Sequence, residues 1–246
     1  METNNIQPTH RRGFLGMLAS GAAALGLATL ASPLQLNAQQ NKKAATDPAA
    51  APMNPADAWF NKLKGKHRVV FDATRPNEVM PFAWPAVFLM TNSATGTPAS
   101  DCGVVVVLRH DGIPYAFQDK MWEKYNFADM FKAGNVGQGF KAADASTATK
   151  TRNPFWNTKH GDFAIPGIGI VDIGIKDLQA SGVMFCVCNA AMTVYSAIAA
   201  DMMKMKPEDV KKEWMDNLIP GIQVVPSGVW AVGRAQEHKC AYIFAG

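Results

Sequence analysis

The feature that most constrains the fold is an unbroken apolar run at residues 103–108. Gly103 is followed by four valines and Leu108, with no polar residue between them. A strand that is apolar on both faces is typical of a parallel sheet covered by helices on both sides. The turn-forming residues 110–112 end the run, and residues 113–117 are interpreted as its extension after a kink at Pro114.

Strand and helix patterns alternate along the rest of the folded chain. Strands are predicted at residues 67–73, 103–109, 183–187, 222–225 and 240–244. Helices are predicted at residues 55–63, 80–94, 119–126, 168–180, 190–205, 207–214 and 229–238. This alternation, repeated about five times, predicts a three-layer α/β sandwich with a mainly parallel, about five-stranded, doubly wound sheet.

The beginning of the chain has the pattern of an export signal. Arg11 and Arg12 precede an apolar pair, and residues 16–36 carry no charge. We interpret residues 1–38 as a twin-arginine (Tat) signal peptide, with Ala38 as the residue before the cut. The segment is long enough to span a bilayer as an anchor, but its Ala and Gly content favours a removable signal. A periplasmic protein without a membrane anchor is therefore predicted.

The remainder divides into two parts. Residues 39–55 are rich in Ala, Pro, Asn and Gln without periodicity, which predicts a flexible linker, and residues 56–246 form the predicted α/β domain. Within that domain, residues 126–161 are an irregular insertion that predicts either a binding lid or an oligomer contact.

Charge and motif content argue against several classes of function. The net charge is +4 with scattered Lys and Arg, which does not predict a nucleic-acid surface. The four cysteines are too few for a disulfide scaffold. The chain has no CxxC pair, no zinc-type histidine spacing and no glycine-rich phosphate loop. No cofactor and no metal enzyme is predicted.

The transition at residues 182–192 is the strongest candidate site. An apolar strand ends at Cys188, and Asn189 is predicted to cap the helix that follows. Open α/β sheets bind ligands at the carboxyl ends of their strands, and a helix N-terminus lowers the pKa of a nearby thiol. Cys188 is therefore predicted to be a reactive thiol, and the alternative is a small buried hydrophobic residue.

A second strand-to-helix junction is expected at the same edge of the sheet. Ser227 is predicted to cap that helix, and with Gly228 it would offer amide donors to an anion. Arg234 shares a helix face with Trp230 four residues earlier. It is either an anion-binding cation or a surface arginine stacked on the indole.

Two further features leave alternatives open. Cys186 and Cys240 are possible second thiols, with Cys240 either a core residue or a resolving partner of Cys188. Methionines on or after the helix that follows Cys188 would suit Cu(I) together with its thiolate, although methionine at helical spacing is more often core. These methionines are Met192, Met202, Met203 and Met205.

Residues 182–246 resemble a known family. The similarity is carried by Cys188-Asn189 after a strand, by the segment LIPGIQVVPSGVW at residues 218–230, and by RAQE at residues 234–237 followed by Cys240. These features resemble the DsrE/DsrF-like family, and more closely its Tat-exported branch. The resemblance implies a small doubly wound domain that assembles into trimers or hexamers.

In sulfur-oxidising members of that family, one cysteine after a central strand carries persulfide sulfur between donor and acceptor proteins, and Cys188 matches that position. The resemblance therefore implies a persulfide carrier or thiol-dependent protein. The alternative is a non-catalytic oligomeric module that binds a small anion or Cu(I).

Overall fold

The valine run forms the middle strand of a parallel sheet. The computed structural model describes residues 54–137, 140 and 150–246. Within them, five strands form one sheet: β1 (His67–Ala73), β2 (Cys102–Leu108), β5 (Met184–Cys188), β6 (Gln223–Val225) and β7 (Ala241–Phe244). They pair in the order β6-β5-β2-β1-β7, every pair parallel. The predicted α/β fold with a parallel sheet is confirmed.

Helices connect these strands, and a small hairpin precedes β5. The helices are α1 (Pro55–Phe60), α2 (Met80–Ala94), α3 (Asp119–Tyr125), α4 (Phe127–Met130), α5 (Ile175–Ala180), α6 (Asn189–Met203), α7 (Pro207–Asp216) and α8 (Gly228–Glu237). The hairpin strands are β3 (Ala164–Ile165) and β4 (Gly169–Ile170), which pair antiparallel. Among the helices of the described residues, none combines the length and apolarity needed to cross a membrane.

The sheet is buried on both faces, as the valine run requires. Val106 belongs to the core cluster that contains Phe82 of α2, whereas its neighbour Val107 belongs to the cluster of Phe60 from α1 and Ala231 from α8. All five side chains are fully buried. Burying such a side chain contributes roughly 1.5–3 kcal/mol relative to leaving it in water, so both helical layers stabilise the sheet.

Two predicted elements are wrong. Residues 113–117 do not extend β2, because the chain forms a 3-10 helix over His110–Ala116 that contains Pro114. Residues 168–180 are not one helix, since Gly167 and Gly169 have φ of +82° and +106°. Such angles suit glycine in turns and interrupt a helix, so this stretch forms the β3–β4 hairpin and only Ile175–Ala180 is helical.

The described part of the predicted insertion packs into the core. Asn153 is fully buried, and its side-chain amide donates to the carbonyls of Tyr115 and Phe117 at 2.9 Å each. Phe155 stacks on Phe82 with ring centroids 4.0 Å apart. The predicted signal and residues 39–53 of the predicted linker lie outside the described residues, as do residues 138–139 and 141–149 of the insertion.

Candidate functional site

Cys188 joins β5 to α6 and caps that helix with its own sulfur. The backbone N–H of Ala191 donates to Cys188 Sγ at 3.2 Å, and α6 begins at Asn189. The prediction that Asn189 is the cap is therefore wrong by one residue. A sulfur at this end of a 15-residue helix lies in the positive end of the helix dipole, which stabilises negative charge.

A pocket of about 400 Å³ opens beside this sulfur. It forms where β2, β5 and β6 end, because register pairs Leu108 with Val187 and Cys188 with Val225. Adjacent parallel strands thus deliver their carboxyl ends to one edge. The lining residues are Arg109, His110, Cys188, Ala190, Ala191, Val194, Tyr195, Ser227, Gly228 and Val229. The structure therefore brings together three of the predicted site residues, Cys188, Ser227 and Gly228.

The cation of this pocket is Arg109, which was not predicted. Its Nε and Nη2 atoms donate to the two carboxylate oxygens of Asp72 at 2.6 and 2.8 Å, and the Tyr242 hydroxyl donates to the same carboxylate at 2.9 Å. Asp72 is only 1 % exposed. The hydrogen bond to Asp72 chiefly raises the pKa of Arg109, and negative charge at Cys188 acts in the same direction. The buried carboxylate of Asp72 therefore holds Arg109 as a guanidinium cation at this pocket.

The beginning of α8 forms the opposite wall. Ser227 Oγ accepts from the Trp230 N–H at 3.2 Å, so the predicted cap is confirmed. A Cβ atom on Gly228 would lie 2.4 Å from Arg109 Cβ and 2.6 Å from Arg109 Cδ. Only glycine allows the arginine to pass this close to the helix. Residues at the N-termini of α6 and α8 thus line one pocket together with Arg109.

Arg234 and Asn189 do not contribute to this arrangement. Arg234 donates to Asp57 at 2.7 Å, pairs with Glu237 at 2.7 Å, and lies over the Trp230 ring at 5.1 Å. It therefore links α8 to α1, which fits the alternative of a stacked arginine. Neither Arg234 nor Asn189 is among the described residues that line the pocket.

The other candidate thiols, Cys186 and Cys240, are not among the described residues that line the pocket. Cys186 is fully buried in the cluster beneath α1 and α8, and Cys240 precedes β7, three strands across the sheet. The strand register places Cys240 roughly 20 Å closer than Cys188 to the amino-terminal edge of the sheet. Cys240 is therefore too far away to act as a resolving thiol for Cys188. Burial raises the pKa of Cys186, and that of Cys240 to about 11. All four cysteines of the chain are free.

The methionines that suggested copper are also separated. Met192 is fully buried in the core, whereas Met202 is 65 % exposed at the other end of α6. Met202 lies fourteen residues after Cys188, which corresponds to roughly 20 Å along the helix. Within the part of the chain that the structure describes, no group of three His, Cys, Asp or Glu side chains is arranged to hold a metal ion. Met192 and Met202 therefore lie too far apart to bind one Cu(I) ion together with Cys188.

Sequence reasoning missed Arg109, His110 and Tyr195. A usable signal was present for the first two, because they directly follow the valine strand, where side chains meet at the binding edge. Tyr195 lies two turns into α6, and its position follows only from the packing of that helix against the chain after β2.

Comparison with known proteins does not identify a family. No family model and no curated protein matches the chain. Among solved structures, a protein of unknown function from Methanobacterium thermoautotrophicum aligns over 72 % of this chain and 98 % of its own, at 17 % identity and a TM-score of 0.32. So loose an alignment carries no functional argument. The resemblance to the DsrE/DsrF-like family stays a prediction from the sequence.

Proposed function

We propose that this chain is an exported α/β protein that carries sulfane sulfur as a persulfide on Cys188. The observation that carries the proposal is the placement of Cys188 Sγ, which accepts an amide hydrogen bond at the start of α6 and lines a pocket with Arg109. The DsrE/DsrF-like resemblance supports the same chemistry. It also supports a periplasmic homo-oligomer, trimeric or hexameric, that receives sulfur from a donor and passes it to an acceptor protein.

The pocket supplies what sulfur loading requires. The Cys188 thiolate attacks a sulfur of an inorganic polysulfide chain, a new S–S bond forms, and one S–S bond of the chain breaks. The products are the cysteine persulfide anion and a polysulfide dianion shorter by one sulfur, so atoms and charge balance. Arg109 and the N-terminus of α6 lie where negative charge is carried before and after transfer.

The apolar wall of the pocket suits a carrier. Ala190, Ala191, Val194 and Val229 line the pocket with Cys188, and Cys188 itself is only 6 % exposed. A persulfide held there has limited contact with water and with bulk reductants. An open polar groove would not offer that protection.

Intact-mass spectrometry of the mature protein after incubation with polysulfide tests the proposal. The wild type is expected to gain increments of one sulfur atom that disappear in Cys188→Ser and persist in Cys240→Ser, the matched control at a distant buried thiol. Arg109→Gln is expected to load more slowly, by roughly ten- to a hundredfold for the loss of a charged hydrogen bond worth about 1.5–3 kcal/mol. Equal sulfur gain in wild type and Cys188→Ser would contradict the proposal.

A non-catalytic anion-binding module is the second candidate. It is favoured by the helix N-termini and Arg109, which meet at the pocket without needing the thiol. Calorimetric titration with thiosulfate separates the two functions. A binding module would bind thiosulfate equally well in Cys188→Ser, lose binding in Arg109→Gln, and gain no sulfur mass in either form.

A further inference from the structure

We propose that His110 is the proton-transfer group of this pocket, held in one tautomer by Tyr195 and Asp111. The inference rests on the proposed thiol chemistry of Cys188 and extends it to donors whose leaving group must be protonated. His110 and Tyr195 both line the pocket that contains Cys188. The His110 side chain is 65 % exposed at the pocket rim, so an entering reactant meets the imidazole.

The hydrogen bonds of Tyr195 determine which nitrogen of His110 is free. Tyr195 Oη donates to Asp111 Oδ1, because a carboxylate oxygen can only accept. The same Oη lies 2.7 Å from His110 Nδ1. A phenol has one proton, so the second contact is a donation from Nδ1–H to Tyr195 Oη. The basic lone pair of neutral His110 is then at Nε2.

Further contacts hold Tyr195, Asp111 and His110 in this arrangement. Burial, together with the hydrogen bond to Asp111, raises the pKa of Tyr195, so the phenol keeps the proton that it donates. The Tyr195 ring stacks on His110 with centroids 6.0 Å apart and meets Phe131 edge-on at 4.9 Å. Asp111 Oδ1 also lies 3.3 Å from His110 Nδ1. The contacts with Tyr195 Oη and Asp111 Oδ1 thus hold the imidazole by its Nδ1 side.

The backbone at His110 provides an independent observation. Its φ is +48°, a left-handed conformation that is uncommon for residues other than glycine. Backbone in such sparsely populated conformations concentrates at functional sites. Here it turns the chain directly after Arg109, so that the guanidinium and the imidazole enter one pocket from adjacent positions.

In the proposed reaction, His110 accepts the proton of the attacking thiol and later donates it to the leaving thiolate. Nε2 accepts the proton of the Cys188 thiol, and the thiolate attacks the outer sulfur of an organic persulfide R–S–SH. The S–S bond between that sulfur and the R–S group breaks, the leaving thiolate R–S⁻ takes the proton from Nε2, and the products are Cys188–S–SH and R–SH. No oxidant or reductant is consumed, and His110 returns to its starting form.

Sulfur loading from cysteine persulfide, quenched at short times and followed by intact mass, tests this assignment. His110→Gly suits the left-handed backbone and removes the imidazole. We expect it to load roughly a hundredfold more slowly, the scale of one lost acid–base group, and added imidazole to restore the rate. Lys204→Gly, at another left-handed position (φ +55°) at the end of α6, is the matched control and should load like the wild type.

The outcomes separate this inference from the proposed function. A His110→Gly rate equal to that of the wild type, or a slow rate that imidazole does not restore, overturns the inference while sulfur carriage stands. If the wild type takes no sulfur, the proposed function fails, and exchange of Cys188 with cystine then tests His110. That exchange also moves a proton from Cys188 to a leaving thiolate. His110→Gly is therefore expected to exchange more slowly than the wild type, and added imidazole is expected to restore the rate. An unchanged rate, or no restoration by imidazole, overturns the inference.

Discussion

Exposure does not decide which thiol of this protein reacts. Cys188 and Cys240 are 6 % and 7 % exposed, yet their surroundings differ. Cys188 Sγ accepts an amide hydrogen bond and lies in the pocket of Arg109. Cys240 packs in an apolar cluster, and burial is the main cause that raises its pKa to about 11. The groups that touch each sulfur, rather than its depth, set the expected chemistry.

Alkylation should therefore distinguish the thiols. At pH 8, a pKa of about 11 leaves roughly one Cys240 in a thousand as thiolate, and the thiolate is the nucleophile. We expect iodoacetamide to modify Cys188 well before Cys186 or Cys240, as measured by peptide mapping of the native protein. Raising the pH from 8 to 10 should speed Cys240 labelling roughly a hundredfold. Cys240 labelling as fast as Cys188 labelling at pH 8 would contradict this.

At the level of elements, the pocket depends on how closely α8 approaches the end of β2. The first residue of α8 is Gly228, and a side chain there would overlap the proximal carbons of Arg109. Those carbons cannot move away without displacing the guanidinium from Asp72. The start of α8, Arg109 and Asp72 are therefore packed so that a shift of one displaces the others.

Two glycine substitutions in α8 test that dependence. Gly228→Ala should lower the free energy of unfolding by about 1–3 kcal/mol, the usual cost of overpacking, and should also slow sulfur loading. Gly233→Ala, in the same helix with nothing within 4 Å of the added Cβ, should raise stability by about 0.5–1 kcal/mol. Urea denaturation measures both. A Gly228→Ala variant as stable as Gly233→Ala would show that the close approach is not required.

The sequence predicted elements where local pattern decides structure. The bounds of β1 and α2 coincide with the prediction, because turn-forming residues follow both elements, at residues 74–76 and 95–100. Residues 168–180 were misassigned, since their apolar spacing suited a helix whereas the φ values at Gly167 and Gly169 produce a hairpin. The backbone conformation of those two glycines, rather than the apolar spacing, therefore determined the structure of this stretch.

The sequence predicted only some of the residues of the candidate site. Cys188, Ser227 and Gly228 follow predicted strands, so the carboxyl-edge rule placed them together. Arg234 was a candidate because helix spacing revealed its neighbour Trp230, whereas Arg109 was not considered. Nothing local reveals that Asp72, 37 positions before Arg109, forms its ion pair. Long-range partners of this kind appear only once strand order is known.

Across the whole molecule, the path of the chain explains which helices cover each face. Successive strands β1, β2, β5 and β6 are added in one direction, and the chain then returns across the sheet to place β7 beside β1. Since parallel crossovers are right-handed, this reversal puts α8 on the opposite face from α2 and α6. Among the described residues, the core cluster on that face draws its helical members from α8 and α1. The first helix is therefore required to complete the layer.

The contribution of α1 leads to a prediction for the folded domain as a whole. Phe60 is fully buried and contacts the rings of Trp59, Trp230 and His238 with centroids 4.9–6.1 Å apart. Phe60→Ala should lower the free energy of unfolding by about 3–5 kcal/mol, a large part of the 5–15 kcal/mol typical of a domain. The exposed Lys62→Ala in the same segment should change it by less than about 0.5 kcal/mol. Urea unfolding followed by tryptophan fluorescence measures both variants, and equal midpoints would mean that this face is stable without α1.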